Sequence, residues 1–119
     1  MGTAQVQFSG GEPLLYSNLL KIISYSHLRG LRTVMSTSGM GLSEKMAAEL
    51  KTSGLDCCYI SLNGSREKIH QLTRDGYEYA IQALEIFRKS ELQQLLIWVA
   101  YHEKLRDLPR LIDLSNHLV

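Results

Sequence analysis

The chain has 119 residues, 45% of them hydrophobic, with 13 Lys and Arg against 12 Asp and Glu for a formal net charge of +1. That length suits one domain burying roughly two thirds of its unfolded surface, and the composition excludes a disordered chain. The balanced charge excludes a nucleic-acid partner, and apolar runs far short of the ~20 residues that span a bilayer exclude a membrane one; with no signal-like opening, the expected compartment is the cytoplasm.

Strands and helices alternate along the chain. Ala4 to Ser9 reads as a short strand ended by Gly10-Gly11. Leu15, Leu19, Ile22, Ile23 and Ser26 then share one face at helical spacing, and Gly30 closes that helix as a C-cap. Arg32 to Thr37 is a second strand, ended by Ser38-Gly39. Ser43 is the expected N-cap of a second helix, with Leu42 and Ala47 at the hydrophobic-staple positions and Gly54 as its stop.

Asp56 to Leu62 reads as a third strand, ended by Asn63-Gly64-Ser65. It holds both cysteines side by side, so Cys57 and Cys58 point to opposite faces as buried thiols rather than a C-x-x-C pair. A short helix over Arg66 to Leu72 leads through Arg74-Asp75-Gly76 into a longer one, where Tyr77, Ala80, Ile81, Leu84 and Phe87 keep helical spacing. Leu95 to Ala100 is an unbroken apolar run, as a strand buried on both faces would be. Asp107 is the expected cap of the last helix, with Pro109 in its first turn.

Four strands alternating with four main helices predict an α/β fold with a parallel sheet and right-handed crossovers. In such folds ligands gather at the carboxyl ends of the strands. Four polar segments lie there: Ser9-Gly10-Gly11-Glu12-Pro13, Thr37-Ser38-Gly39, Ser61-Leu62-Asn63-Gly64 and Tyr101-His102-Glu103. The paired glycines of the first let a ligand approach the backbone, and Glu12 offers an acceptor for an ammonium group. Those four residues, Gly10 to Pro13, read equally as a strand-to-helix turn with a surface glutamate. Four histidines (His27, His70, His102, His117) share no metal-ligand spacing and read as surface or satisfied structural residues. Arg66, Glu67 and Lys68 read as a solvated helix face.

Val6 to Leu15, with its Gly10-Gly11-Glu12-Pro13 core, resembles the second strand and following motif of the radical S-adenosylmethionine (radical SAM) superfamily. Thr37-Ser38-Gly39 is similar to its Thr-Asn-Gly after the third strand, and Ile60 to Ser65 to its Ser-Leu-Asp-Gly segment after the fourth. His70 through Tyr77 resembles the stretch that follows. The likeness runs over nearly the whole chain and looks nearest to peptide-modifying, sulfatase-maturing and molybdopterin-pathway members.

The resemblance implies part of a partial TIM-like barrel, with residues 1–119 as the second to fifth β/α units. Gly10, Gly11 and Glu12 would hold the methionyl amine of S-adenosylmethionine (AdoMet), Ser61 its carboxylate or ribose, and Arg74 its carboxylate. Thr37 and Ser38 would line the pocket toward a peptide or small-molecule substrate. Asn63 departs from the family's aspartate and is assigned no contact. The family's C-x-x-x-C-x-x-C loop, which holds a [4Fe–4S] cluster that cleaves AdoMet reductively, precedes the second strand and has no counterpart in these residues. The chain is therefore expected to be an internal piece of such an enzyme, with no catalytic or metal-ligating residue of its own and neither cofactor tightly bound. Four strands would leave two exposed sheet edges open to self-association. A small α/β module binding phosphate at Gly10-Gly11 is the alternative, against which Glu12 would repel the anion; a degenerate scaffold is a third.

Overall fold

The structure, a computed structural model, describes residues 2–119; Met1, first residue of the domain expected over 1–119, lies outside the described residues. Strands β1 (Gln5–Phe8), β2 (Arg32–Thr37), β3 (Cys57–Ser61) and β4 (Gln93–Ile97) alternate with helices α1 (Leu19–Leu28), α2 (Glu44–Thr52), α3 (Glu67–His70), α4 (Tyr77–Lys89) and α5 (Leu108–Leu118). The strands form one sheet in the order β1-β2-β3-β4, and every neighbouring pair is parallel. This is the predicted alternating parallel fold. Among the described residues no helix is long and apolar enough to cross a membrane.

Period-two alternation divides the sheet into two faces. Phe8, Met35, Cys58 and Gln94 stand in one cross-strand row, and Thr37, Ile60 and Leu96 in another. This face packs under the helices, with Ile23 of α1, Ala47 and Leu50 of α2, Leu84 and Phe87 of α4 and Leu111 of α5 in one core cluster. Phe87 has no exposed surface, and burying one such side chain contributes about 1.5–3 kcal/mol. The opposite face carries Gln7, Ser36, Tyr59, Ser61, Leu95 and Ile97 and no helix. Gln7 Nε2 donates to Ser36 Oγ across it at 2.8 Å.

Three sequence expectations change. The apolar run Leu95–Ala100 is not buried on both faces: β4 ends at Ile97, and Leu95, Ile97 and Val99 are 45%, 36% and 46% exposed. Helices cover one side of the sheet only, and β4 is an edge strand, so alternate residues face outward. Leu15 does not join the first helix. Pro13–Leu15 forms a 3-10 turn before α1 begins, and its tighter winding takes Leu15 off the buried stripe; the residue is 65% exposed. Asp107 precedes α5 without capping it: a 3-10 stretch over His102–Asp107 runs straight into the helix, giving Asp107 helical dihedrals where a capping residue needs extended ones. Ser43 does cap α2, accepting from Met46 N–H at 3.1 Å.

Because all four strands are parallel, their carboxyl ends share one rim. The segments after Phe8, Thr37, Ser61 and Ile97 all open there.

Candidate functional site

Glu12 anchors the first half of the rim. One carboxylate oxygen accepts from Thr37 Oγ1 (2.5 Å) and Leu14 N–H (3.2 Å), the other from Ser38 N–H (2.9 Å) and Ser38 Oγ (2.5 Å). Those four donors fill roughly the four lone-pair sites of a carboxylate. The turn after β1 is thereby tied to the turn after β2. Thr37 is buried, and its hydroxyl is turned to Glu12 rather than to solvent.

Gly10 and Gly11 have φ of +85° and +54°, and a Cβ built on either would meet nothing within 4 Å. Their backbone is open on the rim, beside a cavity of about 350 Å³ that Gly10, Glu12 and Tyr16 help to line. Gly39 is the opposite case. With φ of +87° its Cβ would stand 2.7 Å from Ala83 Cβ and closer still to the Tyr79 carbonyl oxygen. Only glycine lets the turn after Thr37-Ser38 seat against α4.

The second half of the rim is built around His70. Its ring is fully buried, and Nδ1 accepts from Asn63 N–H at 3.0 Å. The ring proton therefore sits on Nε2, which donates to the Asp75 carbonyl at 3.0 Å. Burial, chiefly, holds the imidazole below its ordinary titration range, with the charges of Arg74 and Lys104 adding to that. His70 is thus a satisfied structural histidine, and it joins the turn after β3 to the segment around Arg74.

Asn63, assigned no ligand contact from sequence, is buried: Nδ2 donates to Thr73 Oγ1 at 3.2 Å and Oδ1 accepts from Val99 N–H at 3.4 Å. Thr73 Oγ1 also accepts from Lys104 Nζ. Lys104 is only 1% exposed, and its ammonium lies 5.2 Å from the Tyr101 ring centre. Desolvation pushes its pKa down, partly opposed by the Asp107 carboxylate. That carboxylate is itself held by Ser65 N–H at 2.7 Å and by Ser65 Oγ.

Of the site residues expected from sequence, the structure brings Glu12, Thr37 and Ser38 into direct contact, with Gly10 and Gly11 adjoining. Ser61 ends β3 on the helix-free face, and Arg74 is exposed between α3 and α4. Among the described residues no hydrogen bond or ion pair engages the Ser61 hydroxyl or the Arg74 guanidinium. The contact between exposed Thr73 and buried Lys104 escaped the sequence reading, since neither carries a motif or a spacing signal.

Residues 1–115 match the family described as the Radical SAM superfamily. The chain belongs to the radical SAM superfamily. Among solved structures it is similar to a domain of pyruvate-formate lyase-activating enzyme from Bacteroides vulgatus, with a TM-score of 0.82 at 16% identity, covering 98% of this chain and 74% of that one. Native anSMEcpe with bound AdoMet matches with a TM-score of 0.74 at 19% identity over 98% of this chain. SuiB from Streptococcus suis, bound to S-adenosylmethionine, matches at 0.79 and 16% identity over 93% of the chain. The chain spans 35% of anSMEcpe and 26% of SuiB. At these identities the likeness carries the fold, a partial TIM-like barrel.

Membership in the radical SAM superfamily implies AdoMet and a [4Fe–4S] cluster as cofactors. The residues present do not fit the cluster. Cys57 and Cys58 are both free and fully buried; Cys58 lies in the helix-side core and Cys57 on the other face. Desolvation raises both thiol pKa values, away from the thiolate a metal requires. No group of three His, Cys, Asp or Glu among the described residues could hold a metal ion. Beside the Gly10-Gly11 backbone there is open space.

Proposed function

We propose that this chain is the AdoMet-binding core of a radical SAM enzyme that, in full, carries its [4Fe–4S] cluster on residues outside these 119. The complete enzyme reductively cleaves AdoMet to begin radical chemistry on a peptide or a cofactor precursor. The chain alone is not catalytic. The observation that carries the reading is the open, positive-φ Gly10-Gly11 backbone at the carboxyl rim of a parallel sheet in a family member.

In this reading Gly10 and Gly11 offer carbonyl oxygens to the methionyl ammonium. Glu12 supplies negative charge there, its lone pairs being taken by Thr37, Ser38 and Leu14. Ser61 and Arg74, with no internal partner, receive the carboxylate side of the ligand, and a planar guanidinium fork suits that task. Thr37 and Ser38 fix Glu12 beside the ligand. Support for a peptide substrate is the structural likeness to SuiB, solved with precursor peptide SuiA.

The test is an NMR titration of the chain with AdoMet. Shift changes are expected at Gly10, Gly11, Ser61 and Arg74, with weak affinity. Changes confined to other surfaces would overturn the site, and an equal response to inorganic phosphate would favour a phosphate module.

A further inference from the structure

Lys104 poses a physical problem that the AdoMet site does not by itself explain. It is 1% exposed, and among the described residues no carboxylate lies within ion-pair distance of it. An ammonium has three donors, and the one acceptor it meets is Thr73 Oγ1, with the face of Tyr101 at 5.2 Å. Removing such a charge from water is unfavourable unless it is paired. A side chain held so unfavourably is tolerated when the surrounding structure fixes it.

What it fixes is the residue before Arg74. Thr73 Oγ1 is gripped by Lys104 Nζ from the segment after β4 and by Asn63 Nδ2 from the turn after β3. On the other side of Arg74, the Asp75 carbonyl is held by His70 Nε2. The Arg74 amide itself donates to the His70 carbonyl at 3.1 Å. Both neighbours of Arg74 are thus pinned from beneath, while its guanidinium has no partner and is exposed.

We propose that Lys104, acting through Thr73, is a positioning residue for Arg74, setting where the guanidinium meets the AdoMet carboxylate. The inference rests on the assignment of Arg74 made above. Lys104 never touches the ligand. It couples the segment following β4, the strand whose outer face is open, to the residue that holds the carboxylate end.

The test compares wild type, Arg74→Ala, Lys104→Met and Lys104→Gln for binding of AdoMet and of decarboxylated AdoMet, by NMR titration of the full chain. Amide hydrogen exchange at Thr73 to Asp75 is followed in parallel. Arg74→Ala and Lys104→Met should each weaken AdoMet about tenfold, the scale of one charge-assisted contact. The decarboxylated ligand should bind as before. The double variant should be no weaker than Arg74→Ala alone, since the two act on one contact. Lys104→Gln, which keeps a donor for Thr73, should recover most of the affinity. Exchange at Arg74 should quicken about tenfold in Lys104→Met while α4 stays protected.

Equal weakening of both ligands by Lys104→Met, or unchanged exchange at Arg74, overturns the positioning role. If Arg74→Ala discriminates between the ligands and Lys104→Met does not, this inference alone fails. If Arg74→Ala does not discriminate, the Arg74 assignment itself fails.

Discussion

Ser38 directs both of its donors, the backbone N–H at 2.9 Å and the hydroxyl, at a single carboxylate oxygen of Glu12. Twenty-six positions separate the two residues in sequence. The contact makes the turns after β1 and β2 one unit. Glu12→Ala should therefore cost stability as well as ligand affinity, by about 1.5–3 kcal/mol for a charge-assisted set. Denaturant unfolding checks the first and AdoMet titration the second. Arg74→Ala should weaken the ligand yet leave stability within about 0.5 kcal/mol, as an exposed side chain does. Equal stability loss in both variants would contradict this division.

Two glycines with similar dihedrals should answer differently to alanine. At Gly10 the added methyl enters open space, so only the left-handed backbone is penalised, by about 1–2 kcal/mol. At Gly39 it also collides with α4, and the loss should reach about 2–5 kcal/mol. Urea midpoints of Gly10→Ala and Gly39→Ala give the comparison, and the reverse order would refute the packing of the β2 turn on α4.

His70 predicts a pH dependence. Burial lowers its folded-state pKa below the ordinary 6.5, so between those values the unfolded chain binds the extra proton. Stability from this group is complete above pH 6.5 and falls as the solution is acidified below it. Protonation also turns Nδ1 into a donor facing the Asn63 N–H. Unfolding free energy measured from pH 7.5 to 5 should decline more steeply for wild type than for His70→Asn; identical slopes would remove His70 as the cause.

Anaerobic reconstitution with iron and sulfide should leave this chain without a [4Fe–4S] cluster, because its two thiols are buried on opposite faces of β3. Stoichiometric iron and sulfide with an absorption shoulder near ~400 nm would contradict the geometry, since such a cluster is held by several thiolates.

The sheet ends in β1 on one side and β4 on the other. Leu95 and Ile97 of β4, with Val99 just beyond it, add exposed apolar surface, and unpaired edges with apolar patches promote association. Light scattering should show a mass that rises with concentration. A constant monomer mass across the series would refute it.

The sequence by itself determined the alternation of strands and helices, the parallel sheet and the opposed faces of Cys57 and Cys58. Those features follow from local periodicity and from glycine and proline punctuation, which act over a few residues. Gly10-Gly11-Glu12 could be singled out for the same reason, as a contiguous motif, and Arg74 through the resemblance to the family. What the tertiary structure decided depends on contacts between distant segments. It turned the Glu12 carboxylate toward Thr37 and Ser38, moved Asp107 from a helix cap to a partner of Ser65, and buried Lys104 against Thr73, 31 positions away. It also exposed four of the six residues in the Leu95–Ala100 run, because burial of a strand depends on what packs on each face. No local pattern records whether a second layer is there.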